Sequence, residues 1–334
     1  MTFSQAYYLS KLQKDLAFGK VKNLTIIETH ISWIYLTGEY AYKVKKEIKF
    51  GEVLNFSKLA LRRKFCQKEI ELNRPLCGNM YQQVVKLVNR NGKYKFVNLQ
   101  NKARAVEYAV KMLEIPQNFR LDILLSKNRA TKKTISQLTD VIVKFHKFTD
   151  TNNRIKKNGT PESMNEKIRE NFATLSKYTN KHGDLEEKLN SFILHNRKLF
   201  SNRMNGQKIR NIHGDFYSRN IFFKDGKFYV FDRIEFNDVL RYADVAEDVA
   251  HLAMDLDFHN RPDLRQYFLS TYVNLSNDTS LYDIIYFMMC YKTCVRAKVS
   301  LFQAEGTNKA NDKVNCIKDA KLHFKLAYDY VKLF

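Results

Sequence analysis

The sequence predicts an α+β chain of two lobes, a small basic β-rich lobe ahead of a larger helical one. Three observations predict it. Only 4 Pro and 11 Gly punctuate 334 residues, so helices should dominate. Short β-branched and aromatic runs, separated by turn residues, crowd the first third, and apolar residues at helical spacing take over after Pro116. Apolar residues make up 44% of the chain and aromatics 13%, which excludes an intrinsically disordered chain and gives each lobe material for a core.

The first third reads as strands and hairpins around one helix. Thr25–Ile27 and Ser32–Leu36 are strand-like, and Thr37-Gly38-Glu39 turns the chain into a third strand, Tyr40–Val44. A helix is expected from Ser57, a plausible N-cap, to Arg74, with Leu61, Phe65, Ile70 and Leu72 as its apolar stripe and Pro75 as its stop. Val84–Val88 and Tyr94–Leu99 flank Asn91-Gly92, a strong hairpin signal, and Glu107–Met112 is a further short strand. The lobes are therefore placed at 1–112 and 113–334. In the second lobe Ile135, Leu138, Ile142 and Phe145 recur at helical spacing, with Thr134 as a candidate cap. Residues 150–161 read as a polar loop, and Glu162–Tyr178 and Leu185–Arg203 as helices. One hairpin interrupts them, Ile221–Phe223 and Phe228–Phe231 around Asp225-Gly226. Everything after Tyr242 is helical in pattern. There is no internal repeat and no low-complexity linker.

Lys plus Arg number 57 against 35 Asp plus Glu, a net charge of +22. Residues 1–120 hold 22 basic against 9 acidic side chains, so the small lobe is the more strongly cationic. Such an excess can attract nucleic acid or an anionic surface, but a solvated Lys-rich exterior explains it equally well, and nucleic acid is not the favoured partner. No apolar stretch reaches the roughly 18 residues of a membrane helix. The best candidate, Leu281 to Val295, carries Asp283 and Lys292. The first 20 residues lack the pattern of a secretory signal. Five scattered cysteines form no disulfide framework, and Cys290 and Cys294, alone on a helix face, make a poor metal site. The expectation is a cytoplasmic protein with reduced thiols. Its oligomeric state is not legible.

The stretch Asn211 to Asp232 carries the chemistry. His213-Gly214-Asp215 precedes a loop, Asn220 follows Asp215 by five residues, and the hairpin ends on Asp232. Phosphoryl transfer from ATP needs a carboxylate to orient and deprotonate a hydroxyl, and two oxygen ligands to hold Mg²⁺ on the phosphates. This ordered combination supplies all three. A similar string, Lys181-His182-Gly183-Asp184, is followed by neither a hairpin nor a second Asp, and Asp184 there reads as a helix cap. Upstream, Ala41 and Lys43 share a strand face. A strand lysine can reach α/β-phosphates when a helix carboxylate holds its ammonium, and Glu69 is the natural partner, Glu71 pointing about 200° away around the helix. Lys45 lies on the same face and is the alternative to Lys43.

These residues resemble the aminoglycoside phosphotransferase and choline kinase group, and within it a branch often fused to a P-loop ATPase. The resemblance runs through 28–46, 56–74, 106–112, 212–223, 231–238, 244–256 and 295–299, and is most specific over 212–256. It implies a protein-kinase-like fold and an ATP- and Mg²⁺-dependent transfer to a hydroxyl of a small molecule. It implies Asp215 as catalytic base, Asn220 and Asp232 as Mg²⁺ ligands, Lys43 on phosphate and Glu69 positioning it. The backbone around Met112 would hold adenine, Ser32 and its neighbours would stand at the phosphate-covering loop, and Glu235 and His213 would support metal or substrate. This chain departs from the family in three ways. No Gly-x-Gly-x-x-Gly precedes Lys43, no activation segment follows Asp232, and no Gly-x4-Gly-Lys-Ser/Thr of a fused ATPase occurs. Arg233 replaces a small residue, with no role assigned by the sequence.

Two other readings compete: an RNA or protein kinase using the same site, favoured by the basic small lobe, and a nucleotide-binding scaffold without turnover. The scaffold is disfavoured because Asp215, Asn220 and Asp232 are all present. For the acceptor, residues 232–263 hold nine acids and three bases. An acidic wall would favour a neutral or cationic hydroxylated molecule: a sugar, amino sugar or amino alcohol.

Overall fold

In a computed structural model, residues 3–18, 24–51, 53–180, 182–307 and 309–334 are described. Lys181 of the 181–184 string lies outside them. The chain divides into two compact units, Met1–Gln117 with Asp225–Asp238, and Asn118–Lys224 with Val239–Phe334. The first unit thus includes a late segment that no linear division of the chain assigns to it.

The first unit runs α1 (Phe3–Phe18), β1 (Thr25–Glu28), β2 (Ser32–Leu36), β3 (Tyr40–Lys45), β4 (Lys49–Phe50), β5 (Leu54–Asn55), α2 (Leu59–Cys77), β6 (Tyr81–Arg90), β7 (Lys93–Asn98) and β8 (Glu107–Leu113). Six strands form an antiparallel sheet in the order β1-β2-β3-β8-β6-β7. Strand alternation gives β3 two faces. Val44 enters a core with Leu9, Leu12, Tyr35, Leu87 and Ala109 beneath α1, while Lys43 and Lys45 point to the other face, where α2 lies.

Two expectations need correction here. Helix α1 is a second helix in a region read as having one. Its hold on the sheet is polar as well as apolar. Gln5, fully buried, donates to the Lys45 carbonyl (3.0 Å) and to Glu107 Oε2 (2.9 Å), and accepts from the Glu47 N–H (2.7 Å). Tertiary bonds of this kind leave no periodic trace in a sequence. Helix α2 begins two residues later than expected, because Ser57 turns back on Asn55, its N–H and Oγ both donating to Asn55 Oδ1. It also runs past Pro75 to Cys77. A proline in the last turn forfeits a single helical bond, and the Gly78 N–H closes the end on the Arg74 carbonyl.

The second unit holds α3 (Leu121–Ser126), α4 (Lys132–Phe148), α5 (Asn153–Lys156), α6 (Pro161–Leu175), α7 (Leu185–His195), α8 (Arg197–Asn205), β9 (Ile209–Asn211) and β10 (Ile221–Lys224). After Asp225-Gly226, both at positive φ as a tight hairpin turn requires, β11 (Lys227–Val230) belongs to the first unit. The second unit resumes with β12 (Tyr242–Asp244), α9 (Val245–Phe258), α10 (Pro262–Ser276), α11 (Ile285–Gly306) and α12 (Ala310–Tyr330). Three local readings shift. Thr131, not Thr134, caps α4, with Thr134 as the reciprocal member of a capping box. The expected helix 185–203 breaks at Asn196, and the expected loop 150–161 contains α5. Strands β9 and β12, which the sequence did not announce, pair antiparallel. Helix α9 is buried from Val245 to Leu256, so each polar side chain along that stretch requires a partner.

Candidate active site

In the first unit, β3, α2 and the segment after β11 bring five charged side chains together. Lys43 Nζ donates to Glu69 Oε1 (2.8 Å) and to Asp232 Oδ1 (2.5 Å). Lys45 Nζ donates to Glu69 Oε2 (2.6 Å) and to Glu235. Glu69 therefore holds both lysines, one per oxygen, and the two differ in what lies beyond. Lys43 leads to Asp232, whose side chain is 41% exposed, whereas Lys45 leads to Glu235, only 2% exposed. Glu71 is exposed on the far side of α2, as its angular position requires.

The charges explain one another. Burial by itself would lower Lys43, but Asp232 and then Glu69 hold its ammonium well above the usual lysine range. Burial would raise Glu69, yet Lys43 and Lys45 outweigh it and bring the carboxyl down to about 2. Burial pushes Glu235 up, against the pull of Lys45, in a cluster of three carboxyls and two ammoniums.

Asp232 sits at φ +64°, a left-handed conformation a non-glycine residue holds only when its surroundings impose it. Its N–H donates to the Tyr81 hydroxyl (3.2 Å). Arg233, unassigned by the sequence, ties the following turn to α2: its N–H donates to Asn73 Oδ1 (2.9 Å) and its guanidinium to the Leu72 carbonyl (3.3 Å). Ser32 opens β2 with its side chain buried and its Oγ without a hydrogen-bond partner. The β1–β2 turn is closed by Thr29 in place of glycine. Thr29 Oγ1 accepts from the Ser32 N–H (2.9 Å) and donates to the Ser32 carbonyl (3.1 Å). Met112 lies within β8, opposite Ala41 on one side and Tyr81 on the other, one residue before the strand ends.

In the second unit, the loop after β9 places His213, Asp215 and Asn220. Gly214, at φ +87°, lets the chain reverse before Asp215. Asn220 Nδ2 donates to the Asp215 carbonyl (3.0 Å) and to Asp215 Oδ2 (2.9 Å), which fixes the carboxylate and leaves Asn220 Oδ1 for another partner. His213 is fully buried, and its Nδ1 accepts from the Asp215 N–H (3.3 Å).

Helix α9 holds this loop at two points. Asp248 accepts from the N–H groups of His213 (2.8 Å) and Gly214 (2.9 Å) and contacts His146 Nε2 (3.1 Å). Asp255 accepts from the Ser218 N–H (2.8 Å). Burial would raise Asp248, but His146, together with His213, keeps it below the usual range. Between these carboxylates on the same face lies His251, its Nδ1 3.8 Å from Asp215 Oδ1. Asp248, His251 and Asp255 recur at spacings of three and four in an apolar helix. That pattern was readable in the sequence but was not used to assign them to the loop.

Every one of the nine acids in 232–263 is engaged within its own unit. Asp232, Glu235, Asp238, Asp244, Glu247, Asp257 and Asp263 each pair with a lysine or arginine. Asp248 and Asp255 receive main-chain N–H groups. The acidic excess that favoured a neutral or cationic acceptor is internal pairing. Asp184 stands at the N-cap position of α7 but makes no side-chain capping bond. All five cysteines are free, and among the described residues no group of three or more His, Cys, Asp or Glu is arranged for a metal. No helix among them is long and apolar enough to cross a membrane.

Residues 125–282 match the family model described as the phosphotransferase enzyme family. Uncharacterized proteins of Mycobacterium tuberculosis and Mycobacterium bovis are 28% identical over 315 residues, covering 92% of this chain and 60% of theirs. The chain thus spans about three fifths of the length of the curated relatives it matches. Among solved structures, an ethanolamine kinase of Plasmodium vivax is similar with a TM-score of 0.52 at 14% identity, covering 96% of this chain and 89% of that one. A choline kinase of Cryptosporidium parvum gives 0.53 at 10% identity, with 98% and 96% covered. An aminoglycoside phosphotransferase in complex with GDP and kanamycin gives 0.53 at 11% identity, with 95% and 98% covered. These likenesses establish the protein-kinase-like α+β fold. Residues 125–282, a little under half of the chain, carry the match to the phosphotransferase family, and across the rest of the chain the likeness is one of fold.

Proposed function

We propose that this protein transfers the γ-phosphate of ATP to a hydroxyl of a small molecule, with the first unit handling nucleotide and the second the acceptor. The observation that carries the reading is Lys43, whose buried ammonium is aimed by Glu69 and ends beside the accessible carboxylate of Asp232. A lysine oriented in this way is suited to α/β-phosphates. Lys45 and Glu235 serve it from behind by fixing the second oxygen of Glu69. Adenine would meet the backbone around Met112, and the Thr29-closed turn that includes Ser32 would cover phosphate.

Asp215 is the base. It takes the proton of the acceptor hydroxyl as that oxygen attacks phosphorus, and Asn220 Nδ2 keeps the carboxylate turned for it. The donor chemistry suits a magnesium ion. Mg²⁺ needs few protein ligands, hard oxygens, with waters and phosphates completing its shell. Asn220 Oδ1 and the Asp232 carboxylate meet that description. When bound, the ion would neutralise phosphate charge.

The test is ADP release from Mg-ATP across a broad acceptor screen, with calorimetry of Mg-ATP binding to Asp232→Ala. The reading expects acceptor-dependent ADP release and weakened metal-dependent nucleotide binding in the variant. Unchanged Mg-ATP binding by Asp232→Ala would refute it.

A further inference from the structure

Beside Asp215 the second unit stacks cationic and polar side chains, among them two cations with no carboxylate at salt-bridge distance among the described residues. Tyr217 lies flat on His251, ring centroids 5.1 Å apart and planes 4° from parallel. The guanidinium of Arg296 sits over the Tyr217 ring, 4.5 Å from its centroid. Lys292, one helical turn earlier on α11, is buried and donates to the Gly214 carbonyl (3.2 Å). Neither Lys292 nor Arg296 has a carboxylate within 4 Å among the described residues. His251 is 1% exposed, and both its ring nitrogens lack hydrogen-bond partners. The acids closest to this group are Asp215, held by Asn220, and Asp255, held by the Ser218 N–H with His259 3.9 Å away.

Burial works against the Arg296 charge, and Tyr217, Asp215 and Asp255 hold it above the usual arginine range without a direct ion pair. Buried or half-buried cations with no carboxylate in contact, next to an unsatisfied imidazole, are costly unless something else completes them. Burial, then the charges of Lys292 and Arg296, holds His251 well below the usual histidine range. Lys298, on the same helix, is brought down to about 8 by burial, with Lys292 adding to the effect. A cationic acceptor would meet like charge here, and a neutral one would leave the guanidinium unused. Asp215, Tyr217 and Arg296 all reach the surface, so the group is open to a ligand.

Resting on the proposed phosphotransfer at Asp215, we infer that the acceptor is a hydroxylated molecule carrying a carboxylate or phosphate, and that Arg296 receives this anionic group with Lys292 behind it. The planar fork of a guanidinium matches both oxyanions.

The test uses four compounds on one skeleton with the full chain and Mg-ATP: glucuronate, glucose 6-phosphate, glucose and glucosamine. The inference expects one or both anionic compounds to exceed the other two by about ten-fold or more in kcat/KM for ADP release, their ratio separating carboxylate from phosphate. Arg296→Gln should raise the anionic KM by about ten-fold while the KM for ATP stays within about two-fold, and Arg296→Lys should recover part of the loss. A preference for glucose or glucosamine, or an unaltered anionic KM in Arg296→Gln, overturns the inference. If none of the four releases ADP, calorimetric binding of glucuronate and glucose 6-phosphate decides. Binding by the wild type that is lost in Arg296→Gln supports it, and equal or absent binding overturns it. Mg-ATP binding to Asp232→Ala in the same calorimeter reports on the proposed phosphotransfer separately, so the two can fail independently.

Discussion

The charged cluster of the first unit and the charged group around Asp215 in the second solve opposite problems. Lys43, Lys45, Glu69, Asp232 and Glu235 neutralise one another, and only Asp232 is well exposed among them. Around Asp215 the carboxylates are spent on main-chain N–H groups and an asparagine, while among the described residues Lys292 and Arg296 have no acid at ion-pair distance and His251, 3.8 Å from Asp215, is held well below the usual histidine range by burial and by their charges. The difference teaches that net charge predicts neither site. A chain of +22 builds a self-compensated cluster in its more basic part and a cationic one beside a segment of nine acids.

The largest expected effect breaks the second region alone. Asp215→Asn should cost about 10²–10⁴-fold in kcat by removing the base. Affinity for Mg-ATP should stay within a few-fold, since nucleotide is assigned to the other unit. Substantial residual ADP release in the variant would take the base away from Asp215.

Breaking the first region should appear as instability. Lys45→Met leaves Glu235 buried without its cation and should cost about 3–5 kcal/mol in chemical denaturation. Lys45→Met combined with Glu235→Leu removes both charges and should recover most of that loss. A double variant no more stable than the single would mean the five groups do not form one compensated set. Lys43→Ala, by contrast, should depress activity more than stability relative to Lys45→Met, because Lys43 alone leads to the accessible carboxylate.

Acid should separate the regions in order. His323 is held down to about 3 by burial and then by Arg296, and burial, then Lys292 and Arg296, hold His251 well below the usual histidine range. The unfolded chain protonates these rings from pH 6.5 downward while the folded one does not, so stability falls as pH drops from about 6.5 toward 3. Glu69, depressed to about 2, contributes stability that is complete above about pH 4.5 and is lost as pH falls from there toward 2. Denaturation curves across this range should show the earlier loss reduced in His323→Leu, His251 keeping its share, and the later one retained. An unaltered upper limb in that variant would exclude the histidine. The smallest effect belongs to the neglected string: Asp184→Ala should cost less than about 0.5 kcal/mol and leave Mg-dependent nucleotide binding unchanged, its ion pair among the described residues being an exposed one with Lys188.

Local signals made much of this molecule readable. Alternation along β3 put Lys43 and Lys45 on one face, the helical angle chose Glu69 over Glu71, and two Asn-Gly and Asp-Gly turns fixed their hairpins with both turn residues at positive φ. Helix α1 escaped because a buried glutamine holds it, and the end of α2 was misjudged because a terminal proline is cheap. Arg233 and the face of α9 escaped for the same reason: their partners are distant in sequence.

By itself the sequence determined the fold class, the order of the principal strands and helices and the spacing from Asp215 through Asn220 to Asp232, since each rests on a local period or a turn. Beyond the pairing of Lys43 with Glu69, tertiary structure alone decided which charge compensates which. Lys43 meets Asp232 across 189 residues, and Asp248 reaches back 35 residues to hold the His213 N–H. A carboxylate in water and one spent on a buried N–H are written with the same letter. Only burial and the distance to a partner distinguish them, and it is that distinction which turns the acidic stretch into scaffolding and leaves Arg296 beside Asp215 with no carboxylate in contact among the described residues.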